Sequence, residues 1–246
     1  MQGTIEDGVA RVLRLSAPPR LTVAGRTDAG VHALGQVAHV DLPTAAANGL
    51  ARRLDGVLPV DIRVHSAEPA PVGFDARFSA LSRTYSYRVA DPQTPANPLR
   101  RWDTVTHPRP LRLAALRAAS AGLLGERDFA AYCRPRRGAT TVRRLLELDW
   151  RRDDDGVLVA RMTADAFCHS MVRSLVGALL LVGDGRRSPD WPGQVLVGGV
   201  RDSSVPVAPA HGLTLLAVRY PAEEELASRA AGTRKRRDPA SVHTGH

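Results

Sequence analysis

Residues 21–42 read LTVAGRTDAGVHALGQVAHVDL, and this stretch has the pattern of two strands joined by a glycine-containing loop. Apolar, strand-forming residues at 21–25 and 35–42 predict the strands, so the motif GRTDAGVHAL lies in the loop between them. Gly25 and Gly30 bracket an arginine and an aspartate. Because glycine tolerates a positive φ and leaves room for a close neighbour, the loop is suited to approach by another molecule.

Asp28, between these glycines, has two interpretations. An aspartate in such a position often closes an Asx turn by bonding its own backbone. However, the loop also carries Arg26 and is followed by His32 and His39. A carboxylate beside an arginine stays ionised at neutral pH, and an ionised, positioned carboxylate can act as a nucleophile. The residues alone leave both roles open.

The flanking sequence predicts two α+β halves. Apolar periodicity predicts helices over 4–14, 44–54, 111–124, 166–182 and 190–198, and strands over 61–67, 83–90, 143–151, 157–164 and 213–220. Residues 91–98 hold three prolines and predict a linker between an N-terminal lobe, 1–90, and a C-terminal lobe, 99–221. The charged, aperiodic residues 222–246 predict a disordered tail.

Two further segments carry residues suited to substrate contact. Tyr85 and Tyr87 share one face of the strand SRTYSYRV, where they either pack together or offer a ring for stacking on a base. His169, Arg173 and Gly177 follow one another at helical spacing in AFCHSMVRSLVG. Arg173 lies either on a solvated helix face or, with apolar flanks, in a partly buried position that requires an anion, for which Asp28 is a candidate.

Basic charge is the main compositional feature. The chain has a net charge of +9, almost entirely from arginine, since Lys235 is the only lysine. The segment RPRRGATTVRR, residues 134–144, holds five arginines in eleven residues and is either simply solvated or a flexible loop for RNA phosphates, with Arg134, Arg136 and Arg137 as candidates. The excess suits a polyanionic partner, and arginine matches phosphate geometry better than lysine.

Several classes of function find no support in the sequence. The two cysteines argue against a disulfide framework and a cysteine zinc site, and fit a reducing compartment. The histidines are scattered, and neither a P-loop nor a dinucleotide-binding fingerprint occurs. No apolar run of membrane-spanning length and no signal-peptide pattern is present, so we expect a cytoplasmic protein without membrane association.

Five segments together resemble the tRNA pseudouridine synthase A family: AGRTDAGVHALGQVAHV, FDARFSALSRTYSYRV, LLGERDFAAYC, DAFCHSMVRSLVGALLLVG and APAHGLTLLAVRYP. They occur in the family's order and span most of residues 1–221. The resemblance implies two lobes, each similar to a ferredoxin-like or RNA-recognition module, with mixed, mainly antiparallel sheets around a central cleft. It also implies a homodimer that acts on tRNA without a metal or cofactor, converting uridine to pseudouridine at positions 38, 39 and 40 of the anticodon stem-loop.

The same resemblance implies roles for single residues. Asp28 matches the nucleophile, and Arg173 matches the arginine paired with it. Tyr85 matches a tyrosine that contacts the flipped base, and Leu213 matches a leucine under that base. Arg26 matches an arginine that meets the RNA and occupies the vacated base position. The attack can fall on C1′ of the ribose, on C6 of the base, or on a proton of C2′ to give a glycal, and the sequence does not separate these routes.

One departure from the family pattern lies at the N-terminus. The family opens with a strand resembling YDGxxYxGWQ, whereas this sequence starts at MQGTIED, at the first predicted helix. We therefore expect weakened folding and activity, with a catalytically impaired RNA-binding protein of the same fold as the alternative function. An unrelated hydrolase with an aspartate nucleophile is a further alternative, but it would need metal or phosphate motifs that the sequence lacks.

Overall fold

The computed structural model of the chain describes residues 1–94, 96–134 and 140–234. In chain order the helices and strands are α1 (Gln2–Leu13), β1 (Thr22–Val23), β2 (His32–Ala33), β3 (Ala38–His39), α2 (Leu50–Asp55), β4 (Ser82–Ala90), β5 (Val105–Thr106), α3 (Leu113–Ala121), β6 (Gly125–Asp128), β7 (Val142–Arg152), β8 (Leu158–Ala164), α4 (Met171–Gly183), α5 (Trp191–Val197), β9 (Leu213–Arg219) and α6 (Leu226–Arg234). Contacts group the chain into two compact units. The first comprises Met1–Gly25, Val37–Ala80 and Pro221–Arg234, and the second includes Arg26–Gln36 and Leu81–Tyr220.

The second unit is built on a seven-stranded sheet in the order β2–β9–β4–β8–β7–β6, with β5 pairing with β4. The pairs β2–β9 and β4–β5 are parallel, and the other pairs are antiparallel. Helix α3 packs on β7 and on α4, and α4 in turn contacts α5. The predicted α+β class with mixed, mainly antiparallel strands is therefore confirmed.

Strand β4 is central to this sheet, between β8 and β9. The predicted alternation places Tyr85, Tyr87 and Val89 on one face, and all three are buried in the main core. The opposite face is also largely covered, since Thr84 is buried and its Oγ1 lies 3.0 Å from Thr163 Oγ1 on β8. Residues on both faces of β4 are therefore buried.

The first unit has a small core of its own. The apolar stripe predicted for the first helix packs Val9 against Leu50, Leu54, Leu58 and Ile62, which lie on α2 and in the residues after it. Helix α1 begins at Gln2 with Met1 as N-cap. Strands β1 and β3 form a separate antiparallel pair of two residues each, shorter than the strands predicted over 21–25 and 35–42.

The predicted division of the chain differs from the contacts. Residues 1–90 do not form one lobe, because β4 pairs with β8 and β9 of the second unit. The predicted linker 91–98 does not separate the units either, since the chain on both sides of it belongs to the second unit. Asp91, at its start, is buried and ion-paired with Arg152.

The predicted disordered tail is partly folded. Residues 223–225 form a 3₁₀ helix and α6 follows, with Leu226 and Ala230 buried. Ser79 Oγ donates a hydrogen bond to the carbonyl of Leu226, so contacts with a distant segment stabilise a helix that its own periodicity does not predict. Residues 235–246 of the predicted tail lie outside the described residues.

Two other predicted elements differ locally. The helix predicted over 44–54 is interrupted at Gly49, whose φ of 65° is left-handed, and only α2 follows it. The strand predicted over 61–67 does not form. In the part of the chain that the structure describes, no helix combines the length and the apolar character required to cross a bilayer.

Candidate active site

The loop from Arg26 to Gln36 is anchored on the sheet of the second unit. His32 and Ala33 form β2 and pair in parallel with Thr214 and Leu215 of β9. The N–H of Leu34 donates to the carbonyl of Leu215 at 2.8 Å. A side chain at Gly35 would overlap the carbonyl of Leu216, so this close approach of two backbones requires glycine. The loop is therefore held next to the start of β9.

Asp28 is the acidic group of this loop, and two basic side chains meet it. Arg173 Nη1 donates to Asp28 Oδ2 at 2.8 Å, and His169 Nε2 lies 3.4 Å from Asp28 Oδ1. The Asp28 side chain is 27% exposed. The carbonyl of Asp28 also accepts the N–H of Val31 at 3.1 Å, so the aspartate closes a turn and holds an ion pair at once. The carboxylate is thus both positioned and open to solvent.

Arg173 reaches Asp28 from α4, a helix that is otherwise almost wholly buried. Its Nε donates to the carbonyl of Ala208 at 2.7 Å, and its own carbonyl accepts the N–H of Ala208 at 3.0 Å. Gly177, one turn on, lets the backbone approach, since a side chain there would overlap the Pro206 carbonyl oxygen. The group that approaches Gly177 is the chain's own segment before β9.

Tyr85 lies on β4 within the same unit and is 8% exposed. Its ring meets the ring of Phe167 edge to face, with centroids 5.2 Å apart. Burial raises the pKa of the Tyr85 hydroxyl to about 12, opposed by the charge of Arg83 and reinforced by that of Asp28. The hydroxyl is therefore protonated at neutral pH, and Phe167 fixes the orientation of the ring.

Leu213 and Tyr87 lie side by side on the neighbouring strands β9 and β4. Leu213 begins β9, is 5% exposed and is the register partner of Tyr87. Tyr87 donates its hydroxyl proton to the carbonyl of Pro209 at 2.9 Å, so its role in the structure is to hold the segment before β9. Leu213 precedes Thr214, the partner of His32, which places it beside the anchored loop. Arg26 is exposed in that loop.

The predicted basic loop is only partly described. Arg134 is exposed, and its N–H donates to the carbonyl of His169 at 2.9 Å, next to the start of α4. The same two segments are joined by a disulfide between Cys133 and Cys168, whose Cα atoms are 5.8 Å apart. The cysteine count did not predict this single pairing. Arg136 and Arg137 lie outside the described residues.

His169 is the site residue that sequence reasoning did not select. It was noted only as part of a helical stripe with Arg173, but α4 begins at Met171, so His169 lies before the helix and helical spacing does not explain its position. The other two histidines near the motif have structural contacts instead. His32 Nε2 lies 2.5 Å from the carbonyl oxygen of Trp102, and His39 Nδ1 accepts the N–H of Ala76. Among the described residues, no group of three histidine, cysteine or acidic side chains is arranged to hold a metal ion.

The chain is similar to known proteins of one family over nearly its whole length. Residues 119–221 match a family model described as tRNA pseudouridine synthase. Over 240 residues the chain is 62% identical to the tRNA pseudouridine synthase A of Frankia casuarinae, covering 97% of this chain and 87% of that protein. It is 56% identical to the protein of that name from Streptomyces griseus, with 95% and 84% covered. For the Mycobacterium leprae protein of that name the identity is 51%, with 94% and 85% covered.

Proposed function

The chain belongs to the tRNA pseudouridine synthase A family of isomerases, and we propose that Asp28 is its nucleophile and the tRNA anticodon stem-loop its target. The proposed target uridines are those at positions 38, 39 and 40. The observation that carries the proposal is the ion pair between Asp28 Oδ2 and Arg173 Nη1 at 2.8 Å, in a loop anchored on β9. We also propose a homodimer acting in the cytoplasm without a cofactor.

The reaction requires a single charged group near the sugar. The bond between C1′ and N1 of uridine breaks, the uracil turns, and a bond forms between C1′ and C5. C5 loses its proton to solvent and N1 takes up a proton, so the product is an isomer of the substrate. Attack on C1′, attack on C6 and removal of a C2′ proton all begin with an ionised carboxylate. Arg173 donates a hydrogen bond to Oδ2 of Asp28, and His169 lies beside Oδ1, so both side chains hold the carboxylate in position.

The surroundings of Asp28 offer groups to receive the flipped base. Extruding a base from a helix costs a few kcal/mol, which contacts in the site must recover. Tyr85 presents an aromatic ring held by Phe167, and Leu213 presents an apolar side chain at the start of β9. Arg26 is exposed in the loop, and its proposed role is to fill the gap left in the RNA. These three roles are part of the proposal.

The test is the Asp28→Asn variant, assayed with anticodon stem-loop RNA carrying tritium at C5 of uridine. Asparagine keeps the size of the side chain and removes the charge, so we expect no tritium release. RNA affinity should stay near that of the wild type, because phosphate contacts dominate affinity. Turnover by the purified variant would refute the assignment. A wild-type protein that binds the RNA without releasing tritium would support the alternative, an impaired RNA-binding protein.

A further inference from the structure

A cavity of about 370 Å³ lies on the second unit, next to the proposed nucleophile. Five residues line it: Arg134, Ser170, Arg173, Arg201 and Val207. Three of the five are arginines, and one of them, Arg173, is the partner of Asp28. The same guanidinium therefore borders both the catalytic carboxylate and this cavity.

Of the three arginines that line the cavity, only Arg173 is paired with a carboxylate of the described residues. Neither Arg134 nor Arg201 forms an ion pair with a carboxylate of the described part of the chain. Arg201 Nη1 is 3.4 Å from Ser174 Oγ, a neutral acceptor. Both arginines are exposed. Charges left together without a counterion indicate a site for an external anion.

The start of α4 adds to this field. Ser170, which lines the cavity, immediately precedes the helix and has a left-handed φ of 65°. The first N–H groups of an α-helix lack partners within the helix and carry its positive dipole end. The partial charge at the start of α4 is positive, like the charges of Arg134 and Arg201, and it is smaller than either.

We propose that the cavity binds one phosphodiester group of the substrate RNA, with Arg201 as its principal ligand and Arg134 as the second. The guanidinium fork matches two phosphate oxygens, whereas a neutral base would meet only one apolar side chain here, that of Val207. Because Arg173 is shared with Asp28, the bound phosphate belongs to a linkage adjacent to the target uridine. The site would thereby position the ribose against the carboxylate. This inference rests on the proposed function.

The experiment combines Arg201→Gln with RNA modified at single linkages. Stem-loops carry one uncharged methylphosphonate on the 5′ or the 3′ side of the target uridine. On unmodified RNA, Arg201→Gln should lower kcat/KM by about tenfold or more, as expected for a lost hydrogen bond to a charged group. Arg201→Lys, which keeps the charge and loses the fork, should give an intermediate loss. The control is Arg151→Gln, an exposed arginine of β7 outside the cavity, which should leave kcat/KM unchanged.

The decisive measurement is whether the effect of a methylphosphonate in the RNA depends on the presence of Arg201 in the protein. One of the two methylphosphonates should cost the wild type a similar factor, and it should cost Arg201→Gln almost nothing more. Equal costs in both proteins would overturn the assignment of the phosphate to Arg201. The same cycle is measured on RNA affinity, which does not depend on turnover. Coupling in affinity with an inactive wild type would sustain the phosphate site and contradict the proposed function.

Discussion

Arg173 makes two contacts that hold different parts of the site together. Its Nη1 binds Asp28, and its Nε binds the carbonyl of Ala208 in the segment before β9. The side chain is 21% exposed, so both hydrogen bonds form in a partly desolvated environment. Position 173 therefore requires a positive charge and also a side chain whose donors reach both Asp28 and Ala208.

Replacing Arg173 with methionine should damage stability and catalysis together. The variant leaves the Asp28 carboxylate and the Ala208 carbonyl without their donors, and we expect a loss of about 2 kcal/mol in the free energy of unfolding. Tritium release should fall by about a hundredfold or more. Thermal melting and single-turnover kinetics are the measurements.

A lysine at position 173 serves as the matched comparison. It restores the charge near Asp28 without the planar fork that reaches Ala208 as well. We expect partial recovery of activity and little recovery of stability. If methionine and the wild type had equal activity, the pairing would have no catalytic role.

At the scale of elements, a close approach between two backbones fixes the position of α4, the helix that carries Arg173. Helix α4 reaches the segment before β9 at Gly177, where an added Cβ would overlap the Pro206 carbonyl oxygen. A glycine in α5, Gly193, has open space around the same added atom. Comparing an alanine substitution at Gly177 with one at Gly193 therefore separates the steric cost from the general effect of replacing a helical glycine.

Gly177→Ala should destabilise the second unit by about 2–3 kcal/mol, because either α4 or the Pro206 segment must shift. Gly193→Ala should be neutral or stabilising by up to about 1 kcal/mol. Denaturant unfolding of the two variants checks both. A stable Gly177→Ala protein would show that the packing of α4 is looser than described.

The ends of β4 and β7 are joined by Asp91 and Arg152. The carboxylate accepts hydrogen bonds from Arg152 at 3.0 and 3.2 Å and from the N–H of Leu111 at 2.8 Å. Burial disfavours the charge of Asp91, but hydrogen bonds from Arg152 and Leu111 outweigh it and hold the pKa below its ordinary value. A lowered folded pKa contributes stability above the unfolded pKa of about 3.9, and that stability is lost as pH falls through the folded pKa.

Asp91→Asn should therefore cost about 2 kcal/mol at pH 7. The difference in melting temperature from the wild type should shrink as pH falls below about 4, because the wild type loses the same contribution. Melting curves from pH 7 down to about pH 2.5, well below the unfolded pKa, provide the test. A difference that stays constant with pH would show that the ionised carboxylate is not what stabilises this junction.

At the scale of the whole molecule, the net positive charge determines how RNA affinity depends on salt concentration. The chain carries +9, and neutralising RNA phosphates releases counterions. Changing Arg134, Arg136 and Arg137 together to serine should weaken binding to all tRNA substrates. The slope of log affinity against log salt should decrease by about one unit for each lost phosphate contact.

The comparison for this triple variant is Arg151→Ser, which removes one exposed arginine from β7. Its salt slope should equal that of the wild type. Filter binding over a range of salt concentrations measures both slopes. An unchanged slope in the triple variant would show that the basic loop does not touch RNA.

The sequence by itself determined the parts of the protein that depend on local pattern. Alternation predicted β4, β7 and β8, and helical periodicity predicted α3, α4 and α5, with boundaries that differ by a few residues. The glycine-flanked Asp28 and its possible pairing with Arg173 also followed from residue types, because a carboxylate and a partly buried arginine each require a partner.

Only the tertiary structure decided what depends on segments far apart in the chain. His169 reaches Asp28, Asp91 pairs with Arg152, and β4 joins the sheet of the second unit rather than an N-terminal lobe. Helix α6 forms where a disordered tail was predicted, because Leu226 and Ala230 are buried in the first unit. Periodicity reports which face of an element is apolar, whereas the partner of that face is set by contacts that no local pattern contains.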